Sequence, residues 1–334
     1  MKKGWTRLPF IFSLLFLTSL VAISFLYTYV LKDHIKSPPT FLYDGNGNIT
    51  KMRPFPPSFD FPFGVDRLGN NLFWLVIDGA KYTILIGLSV SLLRVGLSVF
   101  IGIIYGIYLQ KMRTLFTTFE RAFRFIPAIL LVMLFFDINL FSDATKGFSY
   151  IVSIIFWLTI VSLPSLVHAI GNEVSHFSNE DFITASRAIG ATKFRIIRKH
   201  VMPFLRSRIL LMIVQQMISV LLLLIHLGVF RIFVGGSTTI QLDTVNSITF
   251  PNSHEWSSLI GVSYKELMLD QWIVFGPSIA FILTLLAFNV MKRTLEGTQE
   301  EIAIPKNEKM SSKELSQIKK SDFAFKEAVV TNVD

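Results

Sequence analysis

Long apolar runs alternate along the chain with short polar or basic connections. Six runs approach the roughly 20 predominantly apolar residues needed to cross a bilayer: 9–31, 82–109, 125–142, 149–171, 209–231 and 272–291. Each predicts a transmembrane helix. The third is the shortest and contains Asp137. After the first run, "SPPTFLYDGNGNITKMRPFPPSFDFPFG" is rich in Pro, Gly and Asn, which favour turns and extended chain. A loop over 32–81 is predicted there, with a hairpin at "DGNGN". Residues 233–271 predict a second long loop, with turn residues followed by a short helix. Residues 82–295 hold five of the six spans. Residues 296–334 predict a solvated, poorly packed tail of mixed charge.

One polar stretch, "DFITASRAIGATKFRIIRKHVMP" (181–203), is patterned like a helix. Phe182, Ala185, Ser186 and Ile189 fall at i, i+3, i+4 and i+7, one helical face. Gly190 divides the stretch. Beyond it, Phe194, Ile197 and Val201 predict a second apolar stripe, with Lys193, Arg195, Arg198 and Lys199 pointing elsewhere. Pro203 predicts a helix break before the fifth span. The element reads as helix–Gly–helix, with one apolar and one basic face. Such a helix can lie on anionic lipid. Small residues beside a glycine bend also suit close docking of a cytoplasmic partner.

Composition agrees with the hydropathy pattern. The chain is 51% hydrophobic and 16% charged, with mean hydropathy +0.54, which marks an integral membrane protein. The net charge of +9 comes largely from alternate connections: Lys2, Lys3 and Arg7; Lys111, Arg113, Arg121 and Arg124; the 181–208 stretch; Lys292 and Arg293. Clustering of this kind follows the positive-inside rule and not nucleic-acid binding. It predicts both termini in the cytoplasm, together with the segment 173–208. The first run is longer than a signal-peptide core and lacks an A-x-A-like site, so a retained anchor, residues 1–31, is expected. There are no cysteines, which excludes disulfides, thiolate metal sites and cysteine nucleophiles. No metal-type histidine spacing and no G-x-x-x-x-G-K-[ST] occur, so no catalytic or metal residues are assigned and nucleotide binding by this chain is not expected.

The 181–203 stretch resembles the EAA loop of permease subunits of binding-protein-dependent ABC importers. Thr184-Ala185-Ser186 stands for E-A-A, Gly190 for the glycine, and His200-Val201-Met202-Pro203 for I-x-L-P. The closest likeness is to the second permease of oligopeptide and dipeptide importers. Two more blocks, 61–87 and 254–291, resemble that family's segments in the same order. The resemblance implies an all-α membrane protein of about six helices with the type I importer (MetI-like) fold. It implies a second homologous permease, two ABC ATPases that carry the ATP and Mg, and an external solute-binding protein, all at a bacterial cell membrane. Residues 181–203 would couple to an ATPase. Ala185, Ser186 and Gly190 would allow close approach, Phe182 and Ile189 would fill the groove, and Pro203 would set the exit angle. Thr184 and Ser186 depart from the motif.

Two polar residues inside the runs stand apart. Arg94 and Asp137 sit at similar predicted depth, and a mid-span arginine faces protein or water. They are expected to pair or to line the pathway. Gly102 and Gly106 form G-x-x-x-G, which predicts close span packing. The alternatives are a secondary transporter and a permease-like scaffold or sensor without transport. The spans lack the several carboxylates and internal repeats common in secondary transporters. They also lack a nucleophile–base pair, which argues against an intramembrane enzyme.

Overall fold

A computed structural model describes residues 8–35, 37–43, 49–135, 148–241 and 247–303. Along the chain run α1 (Leu8–Leu26), β1 (Phe41–Tyr43), β2 (Ile49–Met52), α2 (Leu72–Tyr108), α3 (Arg113–Phe125) and α4 (Ala128–Phe135). Then come α5 (Phe148–Ser178), α6 (Asp181–Ala188), α7 (Lys193–Ile196) and α8 (Met202–Val229). The chain continues through β3 (Ser237–Gln241), β4 (Ser247–Pro251), α9 (Trp256–Ser263) and α10 (Trp272–Ala303). Among the described residues five helical stretches, built on α1, α2, α5, α8 and α10, are long and apolar enough to cross a membrane. The protein is therefore mostly helical, as the hydropathy pattern predicts.

The third expected span differs. Helix begins at Arg113 and breaks at Ile126-Pro127, where proline supplies no N–H to continue the ladder. Leu115, Phe116, Phe119 and Phe123 give α3 an apolar face among otherwise polar residues, so the amphipathic period extends the helix into a stretch that reads as a basic connection. The end of the 125–142 run, including Asp137, lies outside the described residues.

Two apolar cores stack along α2. One gathers Val90, Leu158, Met217, Leu224, Trp256 and Phe281. The other, at the basic end, joins Val99, Ile103, Ile170 and Val174 to Ile183, Ile196 and Leu205. Helices α2 and α5 cross closely at the glycines. A Cβ on Gly106 would stand 2.6 Å from the Gly171 carbonyl oxygen, and one on Gly171 would strike the Tyr105 ring. The expected role of Gly102 and Gly106 in close packing is what the structure shows.

At the opposite end, Trp256 is fully buried. Its Nε1 donates to the Val76 carbonyl at 2.7 Å, and its backbone N–H donates to Thr83 Oγ1 at 3.0 Å. Thr28 donates to Asp78 Oδ1 at 2.8 Å, His254 Nδ1 lies 2.8 Å from Asp78 Oδ2, and Lys81 pairs with the same carboxylate. These contacts tie α2 and the turn before α9 to Tyr27–Leu31, the π-type turn that continues α1. Glu255 is wholly buried in that turn, where the Ser257 hydroxyl donates to it at 2.7 Å. Burial pushes its carboxyl above the ordinary range, partly offset by hydrogen bonds to Ser257, Ser258 and the Val234 backbone.

The two hairpins lie in the long loops. Strands β1 and β2 pair antiparallel; the "DGNGN" stretch between them, where a hairpin is expected, lies outside the described residues. Strands β3 and β4 pair from Ser237↔Pro251 to Gln241↔Ser247. This second hairpin is absent from the sequence expectation, although Thr238-Thr239-Ile240 and Ile248-Thr249-Phe250 are β-branched or aromatic residues suited to strands. The short helix expected after it is α9.

Candidate functional site

The segment 181–203 is a compact hairpin between α5 and α8. Its first arm, α6, ends in a glycine cap. Gly190 adopts φ +93°, its N–H donates to Arg187 O at 2.9 Å, and the Ala191 N–H donates to Ser186 O at 3.0 Å. That 6→1 and 5→2 pair is a Schellman ending, which favours glycine at the left-handed position. Thr192 then caps α7, accepting from the Arg195 N–H at 3.4 Å. The bend expected at Gly190 is present, and a Cβ there would meet nothing within 4 Å. Glycine is therefore suited to this position by backbone conformation and leaves its outer side open.

Two isoleucines anchor the hairpin. Ile183 is 0% exposed and Ile196 is 2% exposed, both in the core at the basic end. The opposite side is apolar and uncovered: Phe182 is 50% exposed, Ile189 88% and Phe194 68%. Thr184 and Ala185 are also exposed, and Ser186 is half-buried. Thr184 Oγ1 donates to Asp181 O at 2.7 Å, and Ser186 Oγ donates to Phe182 O at 2.8 Å. Phe182 rests edge-on against Phe177, whose ring stacks on Phe204 at 4.1 Å between centroids. The sequence-predicted face of Phe182, Ala185 and Ile189 is thus brought together at the surface. The inward anchors Ile183 and Ile196 lie outside the sequence expectation, although apolar residues opposite that face are the signal that marks a packed side.

Two expectations need correction here. Phe194 does not share a stripe with Ile197 and Val201; it faces outward while Ile196 and Val201 are buried. A wide, π-type turn over Ile197–Val201 brings residues five apart onto one side. The same turn corrects the expectation for Pro203. Helix runs without interruption from Lys193 to Val229, because the widened turn before Pro203 gives its ring room that a regular α-turn denies. Pro203 therefore sits in the first turn of α8 and does not end a helix. The hairpin is consequently held between two continuous helices, and Arg208 of α8 pairs with Glu173 of α5 beside it.

Arg94 is fully buried in the middle of α2. Its Nε and Nη2 donate to the Leu158 carbonyl at 3.0 and 2.6 Å, and Nη1 donates to Gln216 Oε1 at 3.3 Å. It therefore joins α2 to α5 and α8. Its expected partner Asp137 is outside the described residues. Among the described residues, no group of His, Asp and Glu is arranged to hold a metal ion.

Comparison with known proteins decides the family. Residues 98–297 match the family described as binding-protein-dependent transport system inner membrane component. The chain belongs to this family. The permease is thus a multi-pass component of the inner membrane and takes part in transport, not catalysis; its family works with ATPase and binding-protein partners. It is similar to the di/tripeptide transport system permease protein DppC of Pseudomonas aeruginosa, 24% identical over 260 residues, 78% of this chain and 74% of the relative. The oligopeptide transport system permease protein OppC of Bacillus subtilis is 24% identical over 236 residues, covering 71% and 70%. The glutathione transport system permease protein GsiD of Escherichia coli is 23% identical over 240 residues, covering 70% of each.

Proposed function

We propose that this permease moves peptides from an external binding protein to the cytoplasm, powered by separate ATPases that grip residues 181–203. The observation that carries the reading is the hairpin's two-sidedness. Ile183 and Ile196 fasten it to the body, while Phe182, Ile189 and Phe194 stand uncovered beside small residues. Exposed aromatic and aliphatic side chains around an open glycine suit insertion into a groove on a partner. Because helix runs unbroken from Lys193 into α8, and only Asn179 and Glu180 separate α5 from α6, movement of the hairpin's tip would pass to both spans.

In this reading a second homologous permease completes the pathway, and two ATPases carry the ATP and Mg. The basic end, with both termini, faces the cytoplasm, as the distribution of lysine and arginine supports. The bilayer covers the exposed apolar sides of the spans. Peptide is the favoured cargo because the DppC and OppC relatives carry that description.

Affinity co-purification from detergent-solubilised membranes tests the reading. The wild type should bring down P-loop ATPases and a second multi-span permease. Gly190→Arg and Ala185→Arg should remain in the membrane and lose the ATPases. A wild type that retains no ATPase would overturn the coupling assignment and leave the hairpin as a lipid-surface element.

A further inference from the structure

Where the chain leaves α2 at the basic end, a polar cavity of about 460 Å³ opens between α3 and α5. Arg113, Thr117 and Arg121 recur every four residues along α3, one stripe of the helix, with Thr114 and Thr118 beside them. His168 and Asn172, one turn apart on α5, form the opposite wall. Among the described residues no carboxylate lines this cavity. The single acid of α3, Glu120, is 2% exposed and pairs with Arg124 instead. Arg113 and Arg121 are exposed, and among the described residues neither has an ion-pair partner.

The hydroxyls of the stripe are largely engaged. Thr117 Oγ1 donates to the Arg113 carbonyl at 2.7 Å and takes His168 Nε2 as a second partner at 3.1 Å. Thr118 Oγ1 donates to the Thr114 carbonyl at 2.9 Å. The groups that can donate into the cavity are then chiefly the two guanidinium forks and the Thr114 hydroxyl, a set that matches phosphate oxygens. The cavity also sits at the end of a span. Helix α2 ends at Tyr108, and only residues 109–112 separate it from Arg113. The exposed half of α3 carries Leu115 and Phe119 as well, 62% and 52% exposed. Cations and bare apolar side chains on one short helix mark an element at a bilayer boundary.

We infer that this cavity holds the phosphate group of an anionic phospholipid of the cytoplasmic leaflet, gripped by Arg113 and Arg121 while the acyl chains stay in the bilayer. The inference takes from the importer reading only the cytoplasmic placement of the basic end. Basic pockets between spans on that side suit acidic headgroups. Arg113 and Arg121 lie two turns apart and line one cavity, so both can reach a group lodged there. Diffuse attraction of a basic connection to acidic lipid would engage Lys111 equally, since it is exposed two residues before Arg113. Lys111 does not line the cavity, and that separates a site from a charged surface.

The test uses the full-length permease extracted from membranes with the partners it retains. Native mass spectrometry counts bound phospholipid in three arms: dioleoyl phosphatidylglycerol, dioleoyl phosphatidylcholine and inorganic phosphate. Phosphatidylglycerol should bind in preference to phosphatidylcholine, and inorganic phosphate at equal concentration should leave it in place. Arg113→Gln and Arg121→Gln should each weaken phosphatidylglycerol about tenfold, the worth of one charge-assisted hydrogen bond. Arg121→Lys should keep most of the preference, and Lys111→Gln should weaken binding less than about twofold, as an exposed charge does. Equal losses in Lys111→Gln and Arg121→Gln would overturn the inference and leave diffuse attraction. Phosphatidylcholine bound as tightly would overturn it too, and displacement by inorganic phosphate would make the ligand a soluble phosphate. The chain has no cysteine, so a membrane-impermeant maleimide on Lys111→Cys checks the leaflet: labelling in inverted vesicles is expected, and labelling from outside intact cells would refute it. None of these measurements needs ATP or transport, so loss of ATPases from the wild type refutes the importer reading alone.

Discussion

The hairpin's two sides predict opposite consequences for two isoleucines seven residues apart in the chain. Ile196 is 2% exposed and packs in the core at the basic end; Ile189 is 88% exposed. Truncating a buried isoleucine to alanine removes transfer energy and leaves a cavity, a loss of about 2–5 kcal/mol. Ile196→Ala should therefore lower the melting temperature of the detergent-solubilised permease. Ile189→Ala removes almost nothing from the isolated fold, because its side chain is already in solvent. Its cost should appear only on docking. Burying an isoleucine contributes about 1.5–3 kcal/mol, and truncation to alanine forfeits most of that, so ATPase affinity should weaken about tenfold or more. Thermal unfolding followed by tryptophan fluorescence measures the first effect. Titration of the purified permease with its ATPases measures the second. Equal melting-temperature losses in both variants, or unchanged ATPase affinity in Ile189→Ala, would refute the two-sided reading.

Other expectations follow from the same contacts. Gly171→Val should destabilise the α2–α5 crossing by several kcal/mol, since its side chain would overlap the Tyr105 ring; unaltered thermal stability would count against the close approach. Arg94→Met should loosen α2 from α5 and α8 by removing the bonds to Leu158 and Gln216, and transport loss rescued by Arg94→Ala/Asp137→Ala over Arg94→Ala would support pairing of Arg94 with Asp137, while no rescue would count against it. Glu255 gives a pH signature. Its folded carboxyl titrates above its unfolded value, so its contribution is fully present below the unfolded value and is lost as pH rises through the folded one. Wild-type stability should therefore fall as pH is raised above about 4.5, and Glu255→Gln should flatten that slope; an identical slope in both proteins would remove Glu255 as its source.

Much of the architecture was legible because its signals are local. A spanning helix needs only length and continuous hydrophobicity, and α1, α2, α5, α8 and α10 supply both. The bend at Gly190 was legible because a left-handed cap favours glycine irrespective of what lies around it. Pro203 misled for the converse reason. Proline's effect on a regular helix is local, but the chain avoided it by widening the turn at Ile197–Val201, a choice made with Ile196 and Val201 both packed into the core. Arg124 read as a connection charge because its pairing with Glu120 needs the helix that sets the two on one face.

Taken by itself, the sequence determined where the chain can cross a bilayer, where it turns, and that 181–203 is basic and helical on either side of a glycine. Each follows from residue type and spacing within one or two turns. Only the tertiary structure decided which isoleucines of the hairpin point inward, that Arg94 bonds the Leu158 carbonyl and Gln216, and that Arg113 and Arg121 share a cavity with His168 and Asn172. Those outcomes depend on how each helix is rotated about its own axis against neighbours up to 122 positions away along the chain. Packing of α2, α5 and α8 sets that rotation, and no local pattern encodes it.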